Sequence, residues 1–210
     1  MAISLVVADD HQVVRIGVRS LLTGSGFEVT GEAATGEELM QILAGQLPEV
    51  VLLDVRMPGG DGLHYLGRIK IAHPTLPVVL YSTYDNPTYV ARAVALGASG
   101  YVLKSEPRDR LVAALQTALR GELAWSREEL RRVTGALATP RVVSDVEVPL
   151  TQRESEVLEQ LANGLTNKEI ALALGISYET VKEHVQHILR KIGVSDRTQA
   201  AVWAVRKGLI

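Results

Sequence analysis

The first 120 residues repeat one two-part texture: a short run rich in β-branched and other apolar residues, then a longer segment with apolar positions at helical spacing. The short runs are residues 3–8, 28–33, 50–54, 78–82 and 100–103, and the helix-period segments lie near 11–23, 36–44, 62–72, 87–96 and 107–120. A helix between two strands carries the chain back to the sheet edge where the previous strand began, so strict alternation predicts parallel strands with helices on both faces. Near-continuous apolar runs such as Val50-Val51-Leu52-Leu53 are what a strand buried on both sides requires. The expectation is an α/β doubly wound, five-stranded parallel sheet. In such a sheet functional groups collect where strands end, at the carboxyl edge.

The texture changes after Gly121. Ser126 and Glu129 have capping-box spacing and predict a short helix, while the stretch 138–149 keeps neither period for long and carries Pro140 and Pro149. Beyond Pro149 the pattern is purely helical. Capping boxes are expected at Thr151/Glu154 and Thr166/Glu169, with further N-caps at Ser177 and Ser195. The organisation read from this is a domain over 1–121, a linker with a short helix over 122–149, and a small all-α domain of four helices over 150–210.

Composition narrows the chemistry. The chain has no cysteine, which excludes disulfides, thiolate metal sites and cysteine nucleophiles. No apolar run approaches the roughly 20 residues of a membrane span, and the early acids of "MAISLVVADDHQ" do not suit a secretory signal, so a cytoplasmic protein is expected. The net charge of −2 divides into −3 over residues 1–125, 0 over 126–149 and +1 over 150–210. So faint a basic bias does not diagnose nucleic-acid binding by itself.

The sharpest chemical signal is Asp54, a carboxylate emerging directly from an apolar run. Asp9 and Asp10 close the first run in the same way, and neighbouring first and third strands would bring the three acids together. Crowded carboxylates repel unless a cation joins them, and an all-oxygen set of hard ligands suits Mg²⁺. Ser82 ends the fourth run and Lys104 the fifth, supplying a hydroxyl donor and an ammonium for phosphoryl oxygens. Any one of these has an ordinary reading as a turn aspartate or a solvated lysine. Five at one edge form a coherent site for phosphorylating Asp54.

A second signal lies in "LTNKEIALALGISYETVKEHVQHILRKIGV". Ile170, Ala171 and Leu174 are apolar at helical spacing, Gly175 permits a tight turn and Ser177 caps a second helix. Val181, Val185, Ile188 and Ile192 make its buried stripe, opposite a face carrying Lys182, Glu183, Gln186 and Arg190. Two helices joined in this way match helix-turn-helix geometry. His184 and His187 share i, i+3 spacing, but no third ligand accompanies them, so phosphate contact or packing is the better reading.

The segments "VVADDHQVVRIGVRSLL", "VVLLDVRMPGGDGL" and "LGASGYVLK" resemble the receiver domain of two-component response regulators of the NarL/FixJ type, a flavodoxin-like fold. The resemblance implies that Asp54 is the phospho-acceptor and that a sensor histidine kinase is the donor. Mg²⁺ would be held by Asp10, Asp54 and the Arg56 backbone carbonyl, with Asp9 nearby. Ser82 and Tyr101 would be the switch residues beside Lys104, and Arg56 and Tyr84 stand at positions that tune phosphate lifetime. Many receivers carry proline after the lysine; here the residue is Ser105.

The C-terminal stretch resembles the LuxR-type DNA-binding domain over nearly its full length. That implies Thr180, Lys182, Glu183 and Gln186 as groove-facing residues, with Lys168, His184, Arg190, Lys191 and Arg197 nearer phosphates or the domain edge. Lys182 can donate to guanine or phosphate and Gln186 can pair with adenine, whereas the acid Glu183 would favour cytosine amino groups. The reading is a transcription factor that homodimerises on phosphorylation and binds double-stranded promoter DNA, as inverted repeats if the pairing is twofold. It is not a turnover enzyme. A regulator that ignores phosphate, or a Mg²⁺-dependent phosphohydrolase, are the alternatives; the second lacks an acid two residues after Asp54, where Arg56 stands.

Overall fold

A computed structural model of the chain describes residues 2–57, 60–126 and 150–209. They divide into two compact units, one of residues 2–57, 60–85 and 96–126 and the other of residues 86–95 and 150–209. The helix expected from Ser126 and most of the linker fall outside the described residues.

The first unit is built on a five-stranded parallel sheet of β1 (Ile3–Ala8), β2 (Phe27–Ala33), β3 (Val50–Leu53), β6 (Val78–Ser82) and β7 (Gly100–Leu103), ordered β2-β1-β3-β6-β7. The order reverses on either side of β1 and β3, which makes their carboxyl ends the crevice of the sheet. Ala8 pairs with Leu53, and Asp54 N–H donates to the Ala8 carbonyl at 2.9 Å, so both strands release their acids at one level. All four residues of β3 are fully buried, as are Val78, Val79 and Leu80 of β6.

Helices α1 (Gln12–Leu21), α2 (Gly36–Gly45), α3 (Gly62–Ala72) and α5 (Arg108–Leu119) belong to this unit. Thr35 caps α2 and Asp61 caps α3 through side-chain oxygens that accept the orphan amides of the first turn. Between β3 and α3 the chain forms a small antiparallel pair, β4 (Arg56–Met57) and β5 (Gly60–Asp61), that no periodicity announced. At its exit Gly62 N–H donates to the Val55 carbonyl at 2.8 Å, and any side chain at Gly62 would collide with the Asp54 carbonyl. Glycine lets this loop close directly under the acid.

The second unit gathers helix α4 (Pro87–Ala95) with α6 (Gln152–Ala162), α7 (Asn167–Leu174), α8 (Tyr178–Ile192) and α9 (Arg197–Arg206). Contacts place α4 in this unit. The physical reason is local: α9 packs on α4, Asn86 Nδ2 donates to the Gly164 carbonyl at 3.3 Å, and the Tyr89 ring covers Gly164. The core of the C-terminal helices is the expected stripe, with Val181, Ile188 and Ile192 of α8 buried among Leu158, Leu161, Ile170 and Ala201.

Both capping boxes form as the sequence predicts, and Ser177 caps α8. Gly175 ends α7 at φ 64°, the left-handed conformation that permits the tight turn. The fourth cap is corrected: Asp196, not Ser195, accepts from Gln199 N–H at 2.9 Å. Gln199 reaches back to Ser195 N–H at 2.8 Å, which makes Ser195 the residue before the cap.

Candidate functional site

Asp54 leaves β3 with only 5% of its surface exposed, and Asp9 leaves β1 with 1%. Two such buried carboxylates need compensating charge. Lys104, at the end of β7, provides it: Nζ lies 2.7 Å from Asp54 Oδ2 and 2.6 Å from Asp9 Oδ2. The backbone adds donors, Val55 N–H to Asp54 Oδ1 at 2.7 Å and His11 N–H to Asp9 Oδ1 at 2.9 Å. Burial pushes the Asp54 carboxyl above the usual range, against the opposing pull of the Lys104 ammonium. Burial by itself would weaken the ammonium, yet the Asp54 and Asp9 carboxylates beside it hold its pKa above the ordinary lysine value.

The donor set fits a hard divalent cation. Asp9 Oδ2 and Asp10 Oδ1 are buried without a well-directed hydrogen bond, although Lys104 and His11 stand close. Asp9, Asp10 and His11 are the one group among the described residues whose ligand atoms lie within 4.8 Å of one another. His11 was not foreseen here; its Nδ1 lies 2.7 Å from Asp10 Oδ1. Oxygen ligands of this kind, left short of donors, are what Mg²⁺ accepts.

The remaining walls come from β6 and the loop after it. Ser82 is fully buried at the end of β6, and its Oγ accepts Tyr84 N–H at 3.1 Å. Tyr101 is 1% exposed and its hydroxyl donates to the Tyr84 carbonyl at 2.6 Å, so the ring on β7 points inward and tethers that loop. The Arg56 guanidinium stacks over the Tyr84 ring, 4.8 Å from its centre. Together Asp10, His11, Asp54, Arg56, Tyr84 and Lys104 line an open cavity of about 280 Å³. It has room for a phosphoryl group. Position along the chain foretold the acids, Ser82 and Lys104. The Arg56–Tyr84 stack depends on tertiary approach and left no periodic trace.

On α8 the residues Lys182, Glu183, Gln186 and Arg190 are exposed along one side, and Thr180 and His184 are half-buried. Lys168 is exposed on α7. Thr180 is drawn into the helix start, its N–H donating to Ser177 Oγ at 3.0 Å. Two of the expected cations also have partners within the domain. Lys191 Nζ lies 2.6 Å from Glu154 Oε2, and Arg197 Nη2 donates to the Leu165 carbonyl at 2.6 Å, its pKa lowered by burial. Among the described residues no helix is long and apolar enough to cross a membrane.

Known proteins with this arrangement are recognisable in the sequence. The family model for the response regulator receiver domain matches residues 5–116, and that for bacterial regulatory proteins of the luxR family matches residues 148–204. The chain is 35% identical to the nitrate/nitrite response regulator protein NarL of Escherichia coli strain K12, over 95% of this chain and 94% of that one. It is also 35% identical to the response regulator protein VraR of Staphylococcus aureus strain Mu3, over 100% of both. Among solved structures, RcsB from Salmonella enterica serovar Typhimurium, bound to a promoter in the presence of a phosphomimetic, is 29% identical. It superposes with a TM-score of 0.60 over 100% of this chain and 98% of that one. An acid-lined carboxyl edge on a five-stranded sheet, followed by a helix-turn-helix, thus has one family reading: the chain belongs to the NarL/FixJ response regulators, transcriptional regulators of two-component systems.

Proposed function

We propose that Asp54 accepts a phosphoryl group from a sensor histidine kinase and that this modification controls sequence-specific DNA binding by the C-terminal helices. The observation that carries the reading is the buried Asp54 carboxylate sharing the Lys104 ammonium with Asp9 at one sheet edge. An Asp54 oxygen forms the new bond to phosphorus as the phosphorus–nitrogen bond of the donor phosphohistidine breaks, its electron pair returning to the imidazole. Lys104 stands where it can follow the charge from carboxylate to phosphoryl oxygen, and Ser82 offers a hydroxyl to another. Mg²⁺, held by Asp10, Asp54 and the Arg56 carbonyl with Asp9 alongside, would supply charge neutralisation for the incoming phosphoryl group.

The receiver in this reading spans 1–121, the linker 122–149 and the DNA-binding domain 150–210, working in the cytoplasm. Thr180, Lys182, Glu183 and Gln186 face the major groove, while Lys168, His184 and Arg190 approach the backbone. Modification promotes pairing of two copies on an inverted-repeat promoter site. The experiment is labelling with radioactive acetyl phosphate and Mg²⁺. The unaltered chain incorporates label, and Asp54→Asn incorporates none while keeping the native circular dichroism spectrum. Label retained in the folded variant would refute the assignment.

A further inference from the structure

The first unit carries a polar chain on the outer side of β7 that the reading above does not use. Leu103 N–H, next to Lys104, donates to Glu106 Oε2 at 2.7 Å, and Glu106 N–H returns to the Leu103 carbonyl at 2.9 Å. The other Glu106 oxygen lies 3.6 Å from Arg110 Nε. Arg110 Nη2 in turn donates to the Ala124 carbonyl at 3.1 Å.

Ala124 is no ordinary loop residue. It forms an isolated parallel bridge with Gly100, its N–H donating to the Ser99 carbonyl at 2.7 Å. Only 6% of it is exposed, packed in the core with Val102, Leu111 and Ala118. A side-chain carbon on Gly100 would stand 2.9 Å from the Ala124 Cβ, so glycine is what admits this approach. The chain leaving α5 is therefore stitched to β7 one residue before Tyr101.

We propose that the Glu106–Arg110 pair couples the state of the Asp54–Lys104 pair to the hold on Ala124, the root of the linker. The proposal rests on the acceptor reading of Asp54. When Lys104 turns from the carboxylate to a phosphoryl oxygen, the adjoining Leu103–Glu106 turn shifts, Arg110 follows its partner, and the Ala124 bridge loosens. Coupling of this kind needs an element with two arrangements, and a single bridge held by one amide and one guanidinium is such an element. Ser105 leaves the turn between Lys104 and Glu106 free of proline's fixed φ.

The test uses the full chain with beryllofluoride and Mg²⁺ as a stable phosphoryl mimic. Binding is read by fluorine NMR and the Ala124 amide by hydrogen exchange. In the unaltered chain the mimic speeds Ala124 exchange by about fivefold, the loss of one hydrogen bond's protection. Arg110→Ala shows that faster exchange already without the mimic and gains little more with it. Glu106→Gln, which keeps an acceptor for Leu103 N–H, binds the mimic normally but leaves Ala124 unresponsive. A bound-mimic signal with an unchanged Ala124 amide in the unaltered chain overturns the coupling alone, as does a full response in both variants. Absence of the bound-mimic signal overturns the acceptor reading and this proposal with it.

Discussion

Removing the charge of Glu154 isolates one interaction that stabilises the DNA-binding helices. The residue is 4% exposed at the start of α6, where Oε2 accepts Thr151 N–H at 2.8 Å and meets Lys191 Nζ at 2.6 Å. The Lys191 ammonium, hydrogen-bonded to it and outweighing the effect of burial, holds the Glu154 carboxyl at about 2 against an ordinary 4.5. Taken whole, that depression corresponds to about 3 kcal/mol, since one unit is about 1.4 kcal/mol. Lys191 is 37% exposed, and solvent screening brings the share of the ion pair down to about 1–2 kcal/mol.

Glu154→Gln keeps the acceptor of the capping box and deletes the charge, so it should cost that amount near neutral pH. The sign with acid follows from linkage. A folded pKa below the unfolded one gives stability that is complete above about 4.5 and lost as pH falls toward 2. Urea melts of the full chain carrying Trp125→Phe, followed by Trp203 fluorescence, read this unit. The gap between the two proteins should close by roughly half between about pH 5 and about pH 3. A gap that stays constant over that range refutes the electrostatic account and leaves only packing.

Other tests follow from the two sites. Lys104→Ala leaves Asp9 and Asp54 buried without their shared cation, so acetyl phosphate labelling should slow while Asp54 remains the labelled residue; an unchanged rate would remove Lys104 from the chemistry. Lys182→Ala should weaken operator binding by about 1–3 kcal/mol with relaxed sequence choice if the side chain reads a base. A uniform loss with a flatter salt dependence in binding titrations would assign it to phosphate instead. Lys191→Ala should leave the salt dependence of DNA binding unaltered, because Glu154 already neutralises this ammonium; a slope reduced by about one would show that it meets DNA.

How much of this could be read in advance depends on whether a signal was periodic. Strands β1, β6 and β7 begin and end where the apolar runs do, and β3 differs by one residue, because burial on both faces leaves little choice of residue. Asp9, Asp54, Ser82 and Lys104 were legible for the same reason: a polar residue closing an apolar run marks a strand end. The β4–β5 pair was not, since two-residue strands carry no period. The fates of Lys191 and Arg197 were also hidden. Both look like exposed cations in sequence, and only the return of α6 and of Leu165 to the same place decides their partners. His11 beside Asp10, and Arg56 over Tyr84, are likewise products of chain folding rather than spacing.

The alignment of Ala8 with Leu53 has a consequence for how this gene product tolerates indels. Side chains alternate across a strand, so adding or deleting a single residue within 5–8 or 50–53 rotates every later position there to the other face. Asp54 or Asp9 would then aim away from its mate, while an equally apolar replacement could still fill the interior. Length changes in these two tetrads should accordingly produce folded but mute proteins, whereas comparable changes beyond residue 126 leave the acidic crevice whole.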